Sequence, residues 1–181
     1  MGDSLTTIIA IFLAAVLMFI FPLAAIADRN DDTSQMYIQT TLDNFVNTVA
    51  AKGKLTKEDY EQLESTLEAT NNSYDIELKI DIKDVNPGKK TENDKIGDTT
   101  YYSVYTSQII DSTTGTVKNN VYYLKEGDYI TVSVKNINKT ISQMIKNVLY
   151  GITGNESYVI AAQASGVVVT TGYTTGDTTE Y

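Results

Sequence analysis

The sequence predicts an α+β fold, in which one apolar N-terminal helix is attached to a domain of helices packed on a mainly antiparallel sheet. Three observations lead to this prediction. An uncharged apolar run occupies residues 8–27. Apolar residues then recur at helical spacing over residues 36–67, and from residue 74 they alternate with polar residues, as in strands that bury one face. The expected order of elements is α-α-β-β-β-β-α-β.

The apolar run reads IIAIFLAAVLMFIFPLAAIA, and no Asp, Glu, Lys or Arg lies between Asp3 and Asp28. A helix of about 20 residues matches the thickness of a bilayer's hydrocarbon core, about 30 Å. Residues 1–27 are therefore predicted to form an N-terminal transmembrane and assembly helix. The positions taken to represent it are Ile8, Ile9, Phe12, Val16, Phe19 and Pro22.

The same segment also has features of a cleavable signal peptide. Ala25-Ile26-Ala27 fits the small-residue cleavage pattern, with Pro22 shortly before it. However, residues 1–7 carry no Lys or Arg, and the apolar run is longer than the usual h-region of about 7–15 residues. We therefore expect a retained single-pass membrane anchor whose acidic, Thr- and Tyr-rich domain lies outside the cytoplasm. Cleavage after Ala27 is the alternative.

Residues 28–72 are predicted to form a helical hairpin. Ile38, Leu42, Phe45 and Val49 recur at i, i+4, i+7 and i+11, so they share one face of a helix and are expected to pack it onto the domain. Gly53 is expected to end this helix.

Residues 73–170 are predicted to be the β-rich part of the same domain, and residues 171–181 a flexible tail. The clearest strand signal is at residues 74–82, where apolar and charged residues alternate. Further strands are expected at residues 101–110, 121–124, 129–134 and 158–169. A helix is expected from Ile141, and a turn at Asn86-Pro87-Gly88.

The composition argues against several classes of function. The chain has no His and no Cys, which excludes Ser-His and Cys-His nucleophile pairs and Cys-ligated zinc. Its formal charge of −9 argues against nucleic acid as a partner, because phosphate binding needs clustered Lys and Arg. No catalytic residue, metal ligand or cofactor site is predicted. A hydrolase that uses carboxylates alone would need an acidic cleft, and the sequence does not indicate one.

An apolar helix that contains Pro22, continues as an amphipathic helix and leads into a β-rich domain is also the layout of type IV pilin-like subunits. The later half of the chain resembles the TadE-type pseudopilins of tight-adherence pili. The resemblance is carried by GDYITVSV at residues 127–134, a helix at residues 141–149, and YVIAAQA at residues 158–164. It implies a non-enzymatic bacterial pilus subunit or assembly component whose partners are the membrane and other pilin-like subunits.

In such families a prepilin peptidase cuts after a glycine, which implies cleavage between Gly2 and Asp3 in this chain. The pattern departs from the family in two respects. The leader would be only Met1-Gly2, and Thr7 stands where pilins usually carry an acidic residue. A secreted or surface-displayed binding module, released by cleavage after Ala27, is the alternative function.

Overall fold

A computed structural model of the protein describes residues 2–84, 101–111, 113–149 and 160–173. The helices are α1 (Gly2–Lys52), α2 (Lys57–Glu68), α3 (Thr106–Ile109) and α4 (Ile141–Leu149), and a 3₁₀ turn spans Lys118–Asn120. The strands are β1 (Lys54–Thr56), β2 (Tyr74–Lys83), β3 (Tyr101–Tyr105), β4 (Val121–Tyr123), β5 (Tyr129–Asn136) and β6 (Ala161–Val167). The predicted α+β class is confirmed, and the element order agrees broadly with the prediction.

The main sheet has four antiparallel strands in the order β3-β2-β5-β6. Leu78 and Ile80 of β2 lie opposite Val132 and Ile130 of β5, and all four side chains are buried. The alternation along β2 thus gives the sheet one apolar face for the core and one polar face.

A second, two-stranded sheet pairs β1 with β4, so that Leu55 lies opposite Tyr122. The sequence predicted β4 but not its separation from the main sheet, and it did not predict β1. Strand β1 is only three residues long and lies directly between two helices, so it leaves no period-two pattern. Thr56 ends β1 and caps α2, where its hydroxyl accepts a hydrogen bond from the Asp59 N–H.

Strand β3 is shorter than the predicted strand at residues 101–110. It stops at Tyr105, and α3 follows at once. The Thr106 hydroxyl accepts a hydrogen bond from the Leu78 N–H at 2.7 Å and donates one to the Leu78 carbonyl at 3.2 Å. The Thr106 side chain thus binds the two backbone groups of Leu78 that a longer β3 would bind with its own backbone. This explains why the pairing of β2 with β3 ends there.

Two other expectations fall partly or wholly outside the described residues. The last strand, expected at residues 158–169, is described as β6, and Tyr158 and Val159 lie outside the description. The turn expected at Asn86-Pro87-Gly88 lies wholly outside it.

The hydrophobic core lies between the second half of α1, α2 and the apolar face of the main sheet. The strand nearest α1 is β6, whose inward positions carry only Ala162, Ala164 and Gly166. A Cβ added at Gly166 would lie 2.7 Å from the Val46 side chain. The small residues of β6 therefore allow α1 to approach the sheet closely.

The segment that follows β6 crosses the C-terminal end of α1. The Val169 N–H donates to the Ala50 carbonyl at 3.2 Å, and Gly172 approaches Gly53 so closely that a Cβ on either glycine would lie 2.0 Å from a backbone oxygen of the other segment. Tyr173 stacks on Tyr123 with ring centroids 5.1 Å apart. The first residues of the expected tail thus contact the domain, and residues 174–181 lie outside the description.

Candidate functional site: the helix–domain junction

The first half of α1 is exposed although it is apolar. Phe12 is 69% exposed and Phe19 is 75% exposed, while Ile8, Ile9 and Pro22 are exposed as well and Val16 is half-buried. The helix is long enough and apolar enough to cross a membrane, and its most apolar stretch has no buried residue. A helix of this kind is consistent with a single-pass membrane segment or a signal helix.

The second half of α1 buries one stripe of residues. Ile38, Leu42 and Val49 are fully buried, and Phe45 is 8% exposed. All four residues that the sequence predicted to pack α1 onto the domain therefore lie in the same core.

The buried stripe extends back toward the N-terminus through two polar residues and one alanine. Ser34, Asp31 and Ala27 are all buried and continue the same helical spacing. The Thr140 hydroxyl donates to Asp31 Oδ2 at 2.7 Å, and Lys146 Nζ lies 2.7 Å from Asp28 Oδ1. We call this contact between α1 and α4 the junction: Asp28, Asp31, Thr140, Ser142 and Lys146.

The electrostatics of the junction favour the ionised form of Asp28. Hydrogen bonds from Lys146 and then from Ser142 lower the pKa of the Asp28 carboxyl, against a smaller opposing effect of burial. The positive charge of Lys146 thus compensates an aspartate that directly follows the apolar run.

Two glutamines join α1 to the free edge of the main sheet. The Ala161 N–H donates to Gln35 Oε1 at 3.0 Å, and Gln35 Nε2 donates to the Ala161 carbonyl. One turn later, Gln39 Nε2 donates to the Gln163 carbonyl at 3.0 Å. Three backbone groups on this edge of β6, the N–H and carbonyl of Ala161 and the carbonyl of Gln163, are therefore bound by side chains of α1.

The potential processing residues lie within or before this long helix. Gly2 opens α1, and the side chains of Gly2 and Asp3 lie outside the description. Ala25 is exposed, whereas Ala27 is 6% exposed. The helix continues through Pro22 and through both alanines.

Several ionisable groups elsewhere in the described residues have structural partners. Asp128 is buried, and its carboxylate accepts hydrogen bonds from the Lys83 N–H at 3.0 Å and the Lys125 N–H at 2.8 Å. Burial raises the pKa of Tyr60 and of Tyr122 to about 12, so both phenols are protonated at neutral pH. Within the described residues, no group of three or more His, Cys, Asp or Glu could hold a metal ion.

A groove of about 350 Å³ lies between α1 and α2. It is lined mainly by uncharged polar side chains, and Asp59 is its one carboxylate among the lining residues described. Asp59 is already bound by Lys52 at 2.6 Å and by the Thr56 cap. Such a groove lacks the opposed carboxyl pair that glycoside hydrolysis uses.

Sequence reasoning did not identify the residues of the junction or the two glutamines. Asp28 is named in the prediction only as the first charged residue after the apolar run, and Asp31, Gln35 and Gln39 are not part of the predicted site. Their spacing could have indicated a role, because Asp28, Asp31, Gln35 and Gln39 lie three or four residues apart and so share one side of α1.

Comparisons with protein-family models, with curated proteins and with solved structures found no significant match for this chain.

Proposed function

We propose that the protein is a non-enzymatic, membrane-anchored subunit of a bacterial surface pilus or of its assembly machinery, of the pilin-like TadE type. The observation that carries this proposal is the division of α1 into two halves. Residues 2–26 expose apolar side chains, and residues 27–52 pack along a four-stranded antiparallel sheet.

A helix whose apolar side chains are mostly exposed needs an apolar environment. About 20 apolar residues favour insertion into a bilayer, and the same surface can pack against equivalent helices of other copies. The first half of a pilin-like helix meets both environments: it lies in the membrane before assembly and among neighbouring helices afterwards. The domain would lie outside the cytoplasm, or at the cell surface after assembly.

Close packing between α1 and β6 supports the same proposal. A subunit that is drawn out of a membrane by its helix must not separate that helix from its domain. The residues Ile38, Leu42, Phe45 and Val49 bury the helix on the sheet, and Gln35 and Gln39 add hydrogen bonds to the strand edge. Extraction of the helix would therefore pull on the whole core.

A secreted binding module, cut after Ala27, is the second candidate. It is favoured by the fact that the packing of α1 described above begins at Ala27, so that cleavage would remove mainly exposed residues. The groove between α1 and α2 would then be a candidate binding surface.

The intact mass of the native protein separates the two candidates. A mature N-terminus at Met1 or Asp3, found in the membrane fraction, is the result we expect. An N-terminus at Asp28 in the soluble fraction would contradict the pilin-like proposal and support the secreted module.

Cross-linking tests whether the exposed helices of different copies meet. Because the chain has no Cys, Phe12→Cys provides one reactive site in the apolar half, and Glu58→Cys on exposed α2 is the matched control. Oxidation in native membranes is expected to produce dimers of the first variant and few of the second. Equal, low cross-linking of both would contradict assembly through the helix.

A further inference from the structure

In the first turn of α4, two polar side chains lie inward and two apolar side chains lie outward. Ser142 and Gln143 are 2% and 7% exposed, whereas Ile141 and Met144 are 59% and 49% exposed. A helix on the surface of a soluble domain normally shows the opposite pattern, with its apolar stripe toward the core.

The inward polar face of α4 has specific partners on α1. Ser142 and Lys146, one turn apart, both bind the Asp28 carboxylate, and Thr140 binds Asp31. Thr140 also caps α4, since its hydroxyl accepts a hydrogen bond from the Gln143 N–H at 3.2 Å. The orientation of α4 is therefore fixed by its bonds to α1.

These bonds place α4 at the end of the apolar run. Asp28 directly follows residue 27, and Asp31 lies about 6 Å beyond Ala27 along the helix axis at 1.5 Å per residue. The side-chain hydrogen bonds described between the main sheet and α1 lie farther on, at Gln35 and Gln39. Within the described residues, α4 is thus the part of the domain that is bonded to α1 nearest the apolar run.

We infer that the outward face of α4, with Ile141 and Met144, inserts into the headgroup and acyl-chain boundary of the bilayer that α1 enters. An amphipathic helix lying in this boundary buries its apolar face by about 5–10 Å. The domain then has a second attachment to the membrane, which restricts its tilt about α1. This inference rests on the proposed membrane anchor.

The exposed patch fits lipid better than a second copy of the chain. Two large apolar side chains cover far less than the roughly 800 Å² per partner that a stable protein interface buries. A lipid boundary requires no matching partner surface. The bonds to Asp28 and Asp31 hold α4 at the end of the apolar run, where this boundary would lie. The interaction is apolar, since the whole chain carries a net charge of −9 and is repelled by anionic lipid.

Spin labels on single cysteines test this inference on the full-length chain. The labelled variants are Met144→Cys and Ile141→Cys on α4, Phe19→Cys in the apolar run and Glu58→Cys on α2. Each is reconstituted in phosphatidylcholine vesicles, and the collision rates of the label with oxygen and with a water-soluble nickel chelate are compared. Thermal unfolding of each labelled variant checks that the domain is folded.

We expect the ratio of oxygen to nickel collisions at Met144 and Ile141 to be several-fold above that at Glu58 and below that at Phe19. A high ratio at Phe19 with a water-like ratio at both α4 positions would overturn this inference and leave the anchor intact. Water-like ratios at all positions would overturn the anchor as well. Labels on α4 shielded from both probes would overturn lipid contact in favour of a second copy.

Discussion

The two halves of α1 differ both in how many apolar residues they carry and in what surrounds those residues. In residues 2–26 the large side chains are mostly exposed, and in residues 27–52 the apolar residues are concentrated on one buried stripe. Phe12 and Phe45 illustrate the contrast, with 69% and 8% of their surface exposed. The number of apolar residues and their pattern around the helix thus both distinguish the half that the domain covers on one face from the half that it leaves mostly exposed.

The largest difference between the two halves of α1 is expected when a phenylalanine ring is removed from each and the stability of the domain is measured. Phe45→Ala is expected to destabilise the domain by about 3–5 kcal/mol, because it leaves a cavity in the core. Phe12→Ala, the matched control, is expected to leave the unfolding of the domain within about 0.5 kcal/mol of the unmodified chain. Chemical unfolding in mild detergent measures both. A similar loss in the two variants would show that the first half also packs against the domain.

The next largest difference is expected when an arginine is placed in each half of α1 and membrane insertion is measured. Leu17→Arg is expected to weaken membrane insertion by about 2.5–3.5 kcal/mol and release much of the protein from the membrane fraction. Asn47→Arg lies on the exposed side of the second half and is expected to have no such effect. Unchanged fractionation of Leu17→Arg would contradict the membrane role of the first half.

The packing of the segment after β6 across the C-terminal end of α1 can be tested with two glycines that have similar φ angles. Gly53 and Gly115 have φ angles of +65° and +66°, but only Gly53 lies against another segment, while Gly115 has no atom within 4 Å of an added Cβ. Gly53→Ala is therefore expected to cost about 1–3 kcal/mol more than Gly115→Ala in unfolding experiments. Equal costs would mean that the crossing segment readily moves aside.

The smallest expected effect concerns pH and the ion pair that joins Lys52, at the end of the second half of α1, to Asp59 on α2. Burial tends to raise the pKa of Asp59, but hydrogen bonds from Lys52 and Thr56 outweigh it and hold the pKa below the ordinary 3.8. A depressed pKa in the folded state stabilises the fold above the unfolded-state value, and this stability is lost as the pH falls through the folded-state value.

We therefore expect the domain to lose about 1 kcal/mol or less through Asp59 as the pH is lowered below about 4. The variant Asp59→Asn should show a shallower decrease of unfolding free energy over the same acid range. An unchanged acid slope would indicate that the bonds of Asp59 contribute nothing measurable to stability.

The sequence predicts the parts of this fold that leave a repeated pattern. The helical period over residues 38–49 and the alternation over residues 74–82 are both visible as spacings, and they are confirmed as parts of α1 and β2. Strand β1 and the end of β3 at Thr106 were not predictable in this way, because each depends on a partner far along the chain.

The junction shows the same limit at the candidate site. A Ser142 or an Asp31 in isolation indicates an exposed polar residue, and only the packing of α4 on α1 turns both into buried hydrogen-bonding groups. The exposed Ile141 would likewise be assigned to the core from its spacing alone.

The bonds of Gln35 and Gln39 to β6 also bear on how crowded copies of this protein behave. An open strand edge offers backbone groups to any extended segment nearby, and such pairing is a common route to aggregation. In this protein the carbonyls of Ala161 and Gln163 are already occupied by amides from its own helix. An extended segment that pairs with this part of the edge would first have to displace these bonds, which disfavours sheet extension there.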